Sequence, residues 1–169
     1  MLSIATGNVL SLGQGHAGFA GKLDYLRAQF RDLHLNFLGV QETRASAGSS
    51  LTGGVLRLSS GADQGQGGVE LWCNLAQPIA TGHGKSLYLA RKHFTVVCND
   101  SRRLLVRVLH ESFEAWFFVG YAPHSGYSMQ DRETWWKTTQ DILTNFVEDQ
   151  IPLFACIDAN AGPGEDDGS

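Results

Sequence analysis

The chain has 169 residues, which suggests one domain spanning 1–169 and long enough to bury a sizeable core. Its content of 43% hydrophobic, 10% aromatic and 18% charged residues describes a folded protein and excludes a disordered tail. A formal charge of −4 lacks the basic excess of a dedicated nucleic-acid binder, and no apolar run approaches the length needed to cross a bilayer.

In chain order, residues 2–12 (LSIATGNVLSL) read as a strand and residues 13–21 as a glycine-rich turn. Phe19, Leu23, Leu26, Phe30 and Leu33 then recur at steps of four, three, four and three, one face of an amphipathic helix. Residues 36–40 (NFLGV) read as a short buried strand ending in Gln41, Glu42 and Thr43. Residues 45–68, rich in Gly and Ser, read as loop with one possible strand at 55–58. From 68 to 123 the chain is β-rich, with strands at 69–73, 94–98, 104–109 and 116–122 and no convincing helix between them. Ser128, with Asp131 in the capping-box position, starts a second helix whose apolar face carries Trp135, Thr139, Ile142, Leu143, Phe146 and Val147. A last buried strand at 152–157 leads into Asp158, Ala159 and Asn160, and a polar, glycine-rich tail follows.

Cys73, Cys98 and Cys156 are odd in number and no two have metal-ligand spacing. They read as reduced core residues of an intracellular protein, in nucleus or cytoplasm, and the N-terminus shows no signal peptide.

Three apolar strands lead into residues suited to metal or phosphate binding: Asn8, Glu42, and Asp158 with Asn160 two residues on. Polar groups at strand ends build a site on one rim of a sheet. Mg²⁺ takes hard oxygen ligands, one or two carboxylates with water and substrate phosphate, which Glu42 and Asp158 could supply. Taken singly, each residue also reads as a solvated side chain or a turn. An acidic balance is compatible with such chemistry, because metal ligands are themselves acidic.

The order of these residues carries a family resemblance. Gly7-Asn8-Val9-Leu10-Ser11-Leu12 resembles the W-N-V-x-S-L opening of retroelement endonucleases, and Leu38-Gly39-Val40-Gln41-Glu42-Thr43 resembles their L-x-L-Q-E-T metal motif. Val119-Gly120-Tyr121-Ala122-Pro123-His124 resembles the V-x-V-Y-A-P strand end, and Ile157-Asp158-Ala159-Asn160-Ala161 is similar to G-D-F-N-A. Over residues 3–161 the chain therefore resembles the endonuclease/exonuclease/phosphatase family, most of all the endonuclease domain of a non-LTR retroelement.

That resemblance implies a DNase I-like α/β fold, a two-sheet sandwich flanked by helices and incomplete at the C-terminus, of which this chain is the N-terminal two-thirds. It implies Mg²⁺-dependent (Mn²⁺ as alternative) phosphodiester hydrolysis, with nucleic acid, DNA in preference, as partner and no membrane. Glu42 would bind the metal with Asn8 beside it, and Asp158 would position the attacking water. Asn8 and Asn160 would hold the scissile phosphate or the metal's water shell, and Tyr121 would contact the phosphate. Tyr121 also reads as a core aromatic, since Phe117 and Val119 share its strand face.

Ile157 and Ala159 depart from the family's glycine and phenylalanine, and the family's late Ser-Asp-His motif is absent. The six histidines (His16, His34, His83, His93, His110 and His124) all lie upstream of Asp158. Only His124 falls near the site, and it reads as a loop residue. The isolated chain is therefore expected to be inactive or very weak, with sheet edges and core left exposed by the missing strands.

Other readings stay open. One is a non-catalytic fragment. Another is a dinucleotide-binding module, because Gly13, Gly15 and Gly18 stand in G-x-G-x-x-G spacing after a strand and Glu42 ends the next one. The β-rich block 69–122 opposes the alternating strands and helices of that fold. Residues 81–86 (TGHGKS) carry only the end of a phosphate-loop pattern, Ile79 standing where it needs glycine, and read as a surface turn. Arg102-Arg103 could touch a nucleic-acid backbone but reads by default as a solvated turn, and Trp135-Trp136 could stack on bases but reads as core packing.

Overall fold

The computed structural model describes residues 2–12, 21–82 and 84–160. The glycine-rich stretch 13–20, with Phe19 and the G-x-G-x-x-G spacing, lies outside them, as do His83 and the acidic tail 161–169.

The strand Phe113–Tyr121 shows how the layers form. Phe117, Val119 and Tyr121 enter one apolar cluster, while Trp116 and Phe118 enter another on the opposite face. Alternation of side chains thus places the same strand between two hydrophobic layers. In chain order the elements are β1 (Ile4–Asn8), α1 (Lys22–Asp32), β2 (Phe37–Gln41), β3 (Gly48–Thr52), β4 (Val55–Ser59), β5 (Val69–Asn74), β6 (Ala80–Gly82), β7 (Lys85–Leu87), β8 (Phe94–Asp100), β9 (Arg103–His110), β10 (Phe113–Tyr121), α2 (Met129–Phe146) and β11 (Leu153–Asp158). A single 3₁₀ turn, Arg91–His93, precedes β8.

One sheet runs β1-β2-β5-β4-β3 and the other β11-β10-β9-β8, while β6 and β7 form a separate hairpin. Each larger sheet has one parallel pair, β1 with β2 and β10 with β11, and is antiparallel elsewhere. This mixed topology is not that of a doubly wound dinucleotide-binding sheet. Among the described strands, β1 and β11 each have one hydrogen-bonded neighbour.

The inner faces of the sheets share the main core, built around Phe37, Leu71, Val106 and Phe117. The α1 helix lays Leu23, Leu26 and Phe30 against Val40, Val55 and Trp72 on the outside of the first sheet. The α2 helix lays Ile142 and Leu143 against Leu105, Trp116 and Phe118 on the outside of the second. Ser128 caps α2 as expected, accepting the Asp131 N–H at 3.1 Å, but its hydroxyl donates to the Asp131 carboxylate at 2.6 Å, so the acid bonds the side chain of the cap.

The sheets come closest at Gly39 in β2, where a Cβ would lie 2.9 Å from the Cys156 sulfur of β11 and closer still to its Cβ. Glycine at this position lets the two strands carrying Glu42 and Asp158 approach. Gln41 spans the same gap, donating to the Cys156 carbonyl at 3.0 Å and to Thr6 at 2.9 Å. On the outer face of the first sheet, the wholly buried Glu70 receives two bonds from Arg57, at 2.9 and 2.7 Å, and one from the Trp72 indole at 2.6 Å.

Several local expectations are corrected. The stretch 45–68 holds a hairpin, β3 with β4; β3 (GSSLT) is exposed at all five positions and so lacks the apolar alternation by which strands are recognised. The turn read at 81–86 stands, with Thr81 and Gly82 pairing with Ser86 and Lys85 in the β6–β7 hairpin. Arg103 is not in a solvated turn: it lies buried over the Trp135 ring and bonds Asp100, Thr139 and the Trp135 carbonyl. Trp135 is core, but Trp136 is 45% exposed, because neighbours on a helix point about 100° apart. Cys73 and Cys156 are buried, Cys98 is half-buried, and all three are free.

Candidate active site

The two parallel strand pairs run side by side across the sandwich, so β1, β2, β10 and β11 end on one rim. Asn8 closes β1, Glu42 follows β2, Tyr121 closes β10, and Asp158 closes β11 with Asn160 just beyond. All five sequence-predicted residues meet here.

Asn8 is the hub. Its amide nitrogen donates to the Glu42 carboxylate at 2.7 Å and to the Asp158 carboxylate at 2.8 Å. Its amide oxygen accepts the Leu10 N–H at 3.0 Å, which orients the side chain. One amide thus joins residues separated by 34 and 150 positions, from both sheets. Asp158 also accepts the Asn160 N–H at 3.1 Å, and the Asn160 amide donates to the Ala122 carbonyl at 2.6 Å. These bonds lock Asn160 in its left-handed conformation, φ 48°.

Glu42 adopts φ 55°, a left-handed conformation that costs a non-glycine residue about 1 kcal/mol. The backbone around it enforces the bend. Val9 N–H bonds the Gln41 carbonyl, Leu12 N–H the Thr43 carbonyl, and Thr43 and Arg44 bond the carbonyls of Gly68 and Gly67. Gly68 (φ 82°) leaves the room, since a Cβ there would stand 2.7 Å from the Thr43 hydroxyl.

The Tyr121 hydroxyl lies within hydrogen-bonding reach of Glu42 and Asn160, while its ring packs into the main core. The core reading of the ring therefore holds, while the hydroxyl lies on the side of the candidate site. Burial first, then the bond and the charge of Glu42, push the phenol up to about 12, with Arg102 and Asn160 acting in the opposite sense. The phenol is therefore a hydrogen-bond donor throughout the neutral range.

Sequence reasoning missed Tyr127 and Arg44, and took Arg102 by default for a solvated turn. The Arg102 guanidinium lies 5.0 Å from the Tyr121 ring and 4.9 Å from the Tyr127 ring, and it donates to the Tyr127 hydroxyl at 2.8 Å. Arg44 stands 3.8 Å from the Glu42 carboxylate. A dipeptide of arginines in a β-turn carries no signal of such stacking, because the tyrosines come from distant positions. His124 is exposed, sits edge-on to Tyr127, and accepts the Gly126 N–H, as a loop residue does.

Among the described residues there is no cluster of three or more His, Cys, Asp or Glu side chains that could hold a metal alone. The donor set is two carboxylates and two amides, all hard oxygen groups. That set fits Mg²⁺ or Mn²⁺, which complete their shells with water and substrate oxygens, and does not fit a structural zinc.

Comparison with protein-family profiles and with curated proteins finds no match. Among solved structures the chain is similar to the endonuclease domain of TRAS1, a telomere-specific non-LTR retrotransposon. The TM-score is 0.61 and the identity 11%, over 96% of this chain and 61% of that one. It is also similar to an AP endonuclease from Archaeoglobus fulgidus, at TM-score 0.61 and 19% identity, over 98% of this chain and 60% of that one. The fold is thus the DNase I-like α/β sandwich of these endonucleases, as the sequence resemblance implies, and the chain spans about 60% of their length. Among the described residues no helix is long and apolar enough to cross a membrane.

Proposed function

We propose that this chain is the N-terminal part of a Mg²⁺-dependent phosphodiesterase domain that hydrolyses nucleic acid, DNA in preference, as an endonuclease of retroelement type. The observation that carries the reading is the Asn8 amide bonded at once to Glu42 and Asp158, with the Tyr121 hydroxyl and Asn160 beside them. Paired carboxylates on a strand-end rim of this fold, with a neutral phenol aimed at them, suit attack of water on a phosphodiester. The similarity to two endonucleases of the same fold supports a nucleic-acid substrate. A cellular place in nucleus or cytoplasm goes with this reading and with three free cysteines.

Glu42, with Asn8 beside it, would hold the ion. A bound Mg²⁺ supplies neutralisation of the charge that builds on phosphorus-bound oxygens. Asp158 orients the attacking water and takes its proton, and the Asn8 and Asn160 bonds fix that carboxylate in direction. Tyr121 donates its phenolic hydrogen to a non-bridging phosphate oxygen, which its raised pKa permits at any physiological pH. The Asn8 amide nitrogen is committed to both carboxylates and its oxygen is oriented by the Leu10 N–H, so its first task is to hold the two carboxylates in register.

Plasmid nicking tests the reading. Relaxation of supercoiled DNA, expected to be very weak in a chain without the family's late histidine, should appear with Mg²⁺ and not with EDTA, and Asp158→Asn should lower its rate by at least about a hundredfold. Glu42→Ala should abolish Mg²⁺ binding in calorimetry, and unchanged affinity would sink the assignment. Mg²⁺ binding without any nicking would favour a non-catalytic fragment, a reading that the 60% span of the comparison structures keeps in view.

A further inference from the structure

We propose that the polar cleft beside the site, with Arg102 as its anchor, binds a second, non-scissile phosphate of a polynucleotide. The proposal rests on the phosphodiesterase reading above and extends it to the part of the substrate next to the cut. The cleft encloses about 340 Å³ and is lined by Asp63, Gln64, Gln66, Ser101, Arg102 and Tyr127.

Its position follows from the backbone. The loop carrying Gly67 and Gly68 bonds Arg44 and Thr43, the two residues after Glu42. On the opposite side, Tyr121 N–H bonds the Arg102 carbonyl at 2.8 Å. One wall of the cleft is thus tied to the backbone that follows Glu42 and the other to Tyr121 at the end of β10, so the cleft adjoins the site.

Arg102 is held there as an uncompensated charge. Tyr121 and Tyr127 each pack a ring about 5 Å from its guanidinium carbon, and the Tyr127 hydroxyl and Tyr121 carbonyl accept from it at 2.8 and 3.4 Å. All four partners are neutral. The nearby Asp100 carboxylate is taken by Arg103 at 2.6 Å and by the Arg102 backbone N–H at 2.8 Å. Among the described residues Arg102 forms no ion pair, and Asp63, the cleft's own acid, makes none with it. A planar cation fixed by aromatic rings, with N–H groups left over, is preorganised for the two oxygens of a phosphodiester. A lone mononucleotide would engage the catalytic rim or the cleft; only a polymer spans both.

Fluorescence anisotropy with a short labelled DNA duplex in EDTA, over a series of KCl concentrations, tests this. Arg102→Gln should weaken binding roughly tenfold and flatten the slope of log K against log salt by about 0.9, the loss of one phosphate contact. Arg102→Lys should keep the slope and lose affinity. An unmoved slope in Arg102→Gln would overturn the proposal, as would failure of the unmodified protein to bind the duplex. Should Arg102→Gln not fold, single neutral methylphosphonate linkages in the DNA read the same contact with the unmodified protein. One linkage away from the cut should then weaken binding, and no sensitive linkage beyond the cut would refute the cleft. Nicking that depends on Mg²⁺ and Asp158 with an unmoved slope removes the cleft alone. An Arg102-dependent slope without nicking removes the enzymatic reading and leaves the cleft standing.

Discussion

A single methyl group added at Gly39 should force the two sheets apart where they nearly touch. The new Cβ would meet the Cys156 Cβ well inside contact distance, its sulfur at 2.9 Å and Val119 Cγ1 at 3.5 Å. Neither Cβ can rotate away, since each is fixed to a backbone held in a ladder: Gly39 pairs with Thr6 and Leu71, and Cys156 with Val119. Overpacking of this kind costs about 1–3 kcal/mol. Replacing glycine by alanine within a strand returns about 0.5–1 kcal/mol. The net loss should be about 1–2 kcal/mol, lowering Tm by roughly 2–8 °C for a chain of this size. Scanning calorimetry and urea unfolding measure it. The steric argument makes a sharper demand on the double variants. Cys156→Gly removes the opposing Cβ and should offset much of the Gly39→Ala cost, a coupling of about 0.5–3 kcal/mol. Cys156→Ala keeps that Cβ and should relieve only the contact with the sulfur. An unchanged Tm in Gly39→Ala, or equal rescue by the two Cys156 variants, would refute the reasoning.

Two further outcomes follow from buried polar groups. Arg57→Leu strands the wholly buried Glu70 carboxylate and should cost about 3–5 kcal/mol in urea unfolding, much of it recovered by adding Glu70→Leu; a loss under about 1 kcal/mol would mean that water reaches Glu70. Tyr121, held up to about 12 in the folded chain against an ordinary 10, keeps its proton when the unfolded chain loses it. Its contribution to stability is therefore whole below pH 10 and lost between pH 10 and about 12, and Tyr121→Phe should flatten the pH dependence of Tm in that window.

The sequence by itself determined the apolar patterning of the layers and the residues that meet in the candidate site. A near-continuous apolar run such as that of β10 announces a strand buried on both faces, because each face must find its own cluster. The spacing of Leu23, Leu26 and Phe30 announces a helix face, and Ser128 with Asp131 announces a helix start, since these are local requirements of backbone geometry and capping. Asn8, Glu42, Asp158 and Asn160 were legible as polar residues at the ends of apolar strands, and Tyr121 through the family resemblance that their order carries; strands of one sandwich can end on one rim.

Tertiary structure alone decided the rest. No local rule could join Asn8 to Asp158 across 150 positions, or show that one amide holds both carboxylates. Leu33 fits the apolar face of α1 but ends 68% exposed, because the helix stops at Asp32 before that turn can reach the sheet. The exposed β3 has no hydrophobic signature; it is a strand only because β4 is there to pair with it. Arg102 and Arg103, adjacent and chemically alike, part company entirely: one points to the cleft between two tyrosines, the other lies under α2. Their fates are set by the alternation of β9 and by partners brought from residues 121–139, a long-range outcome that a dipeptide cannot contain.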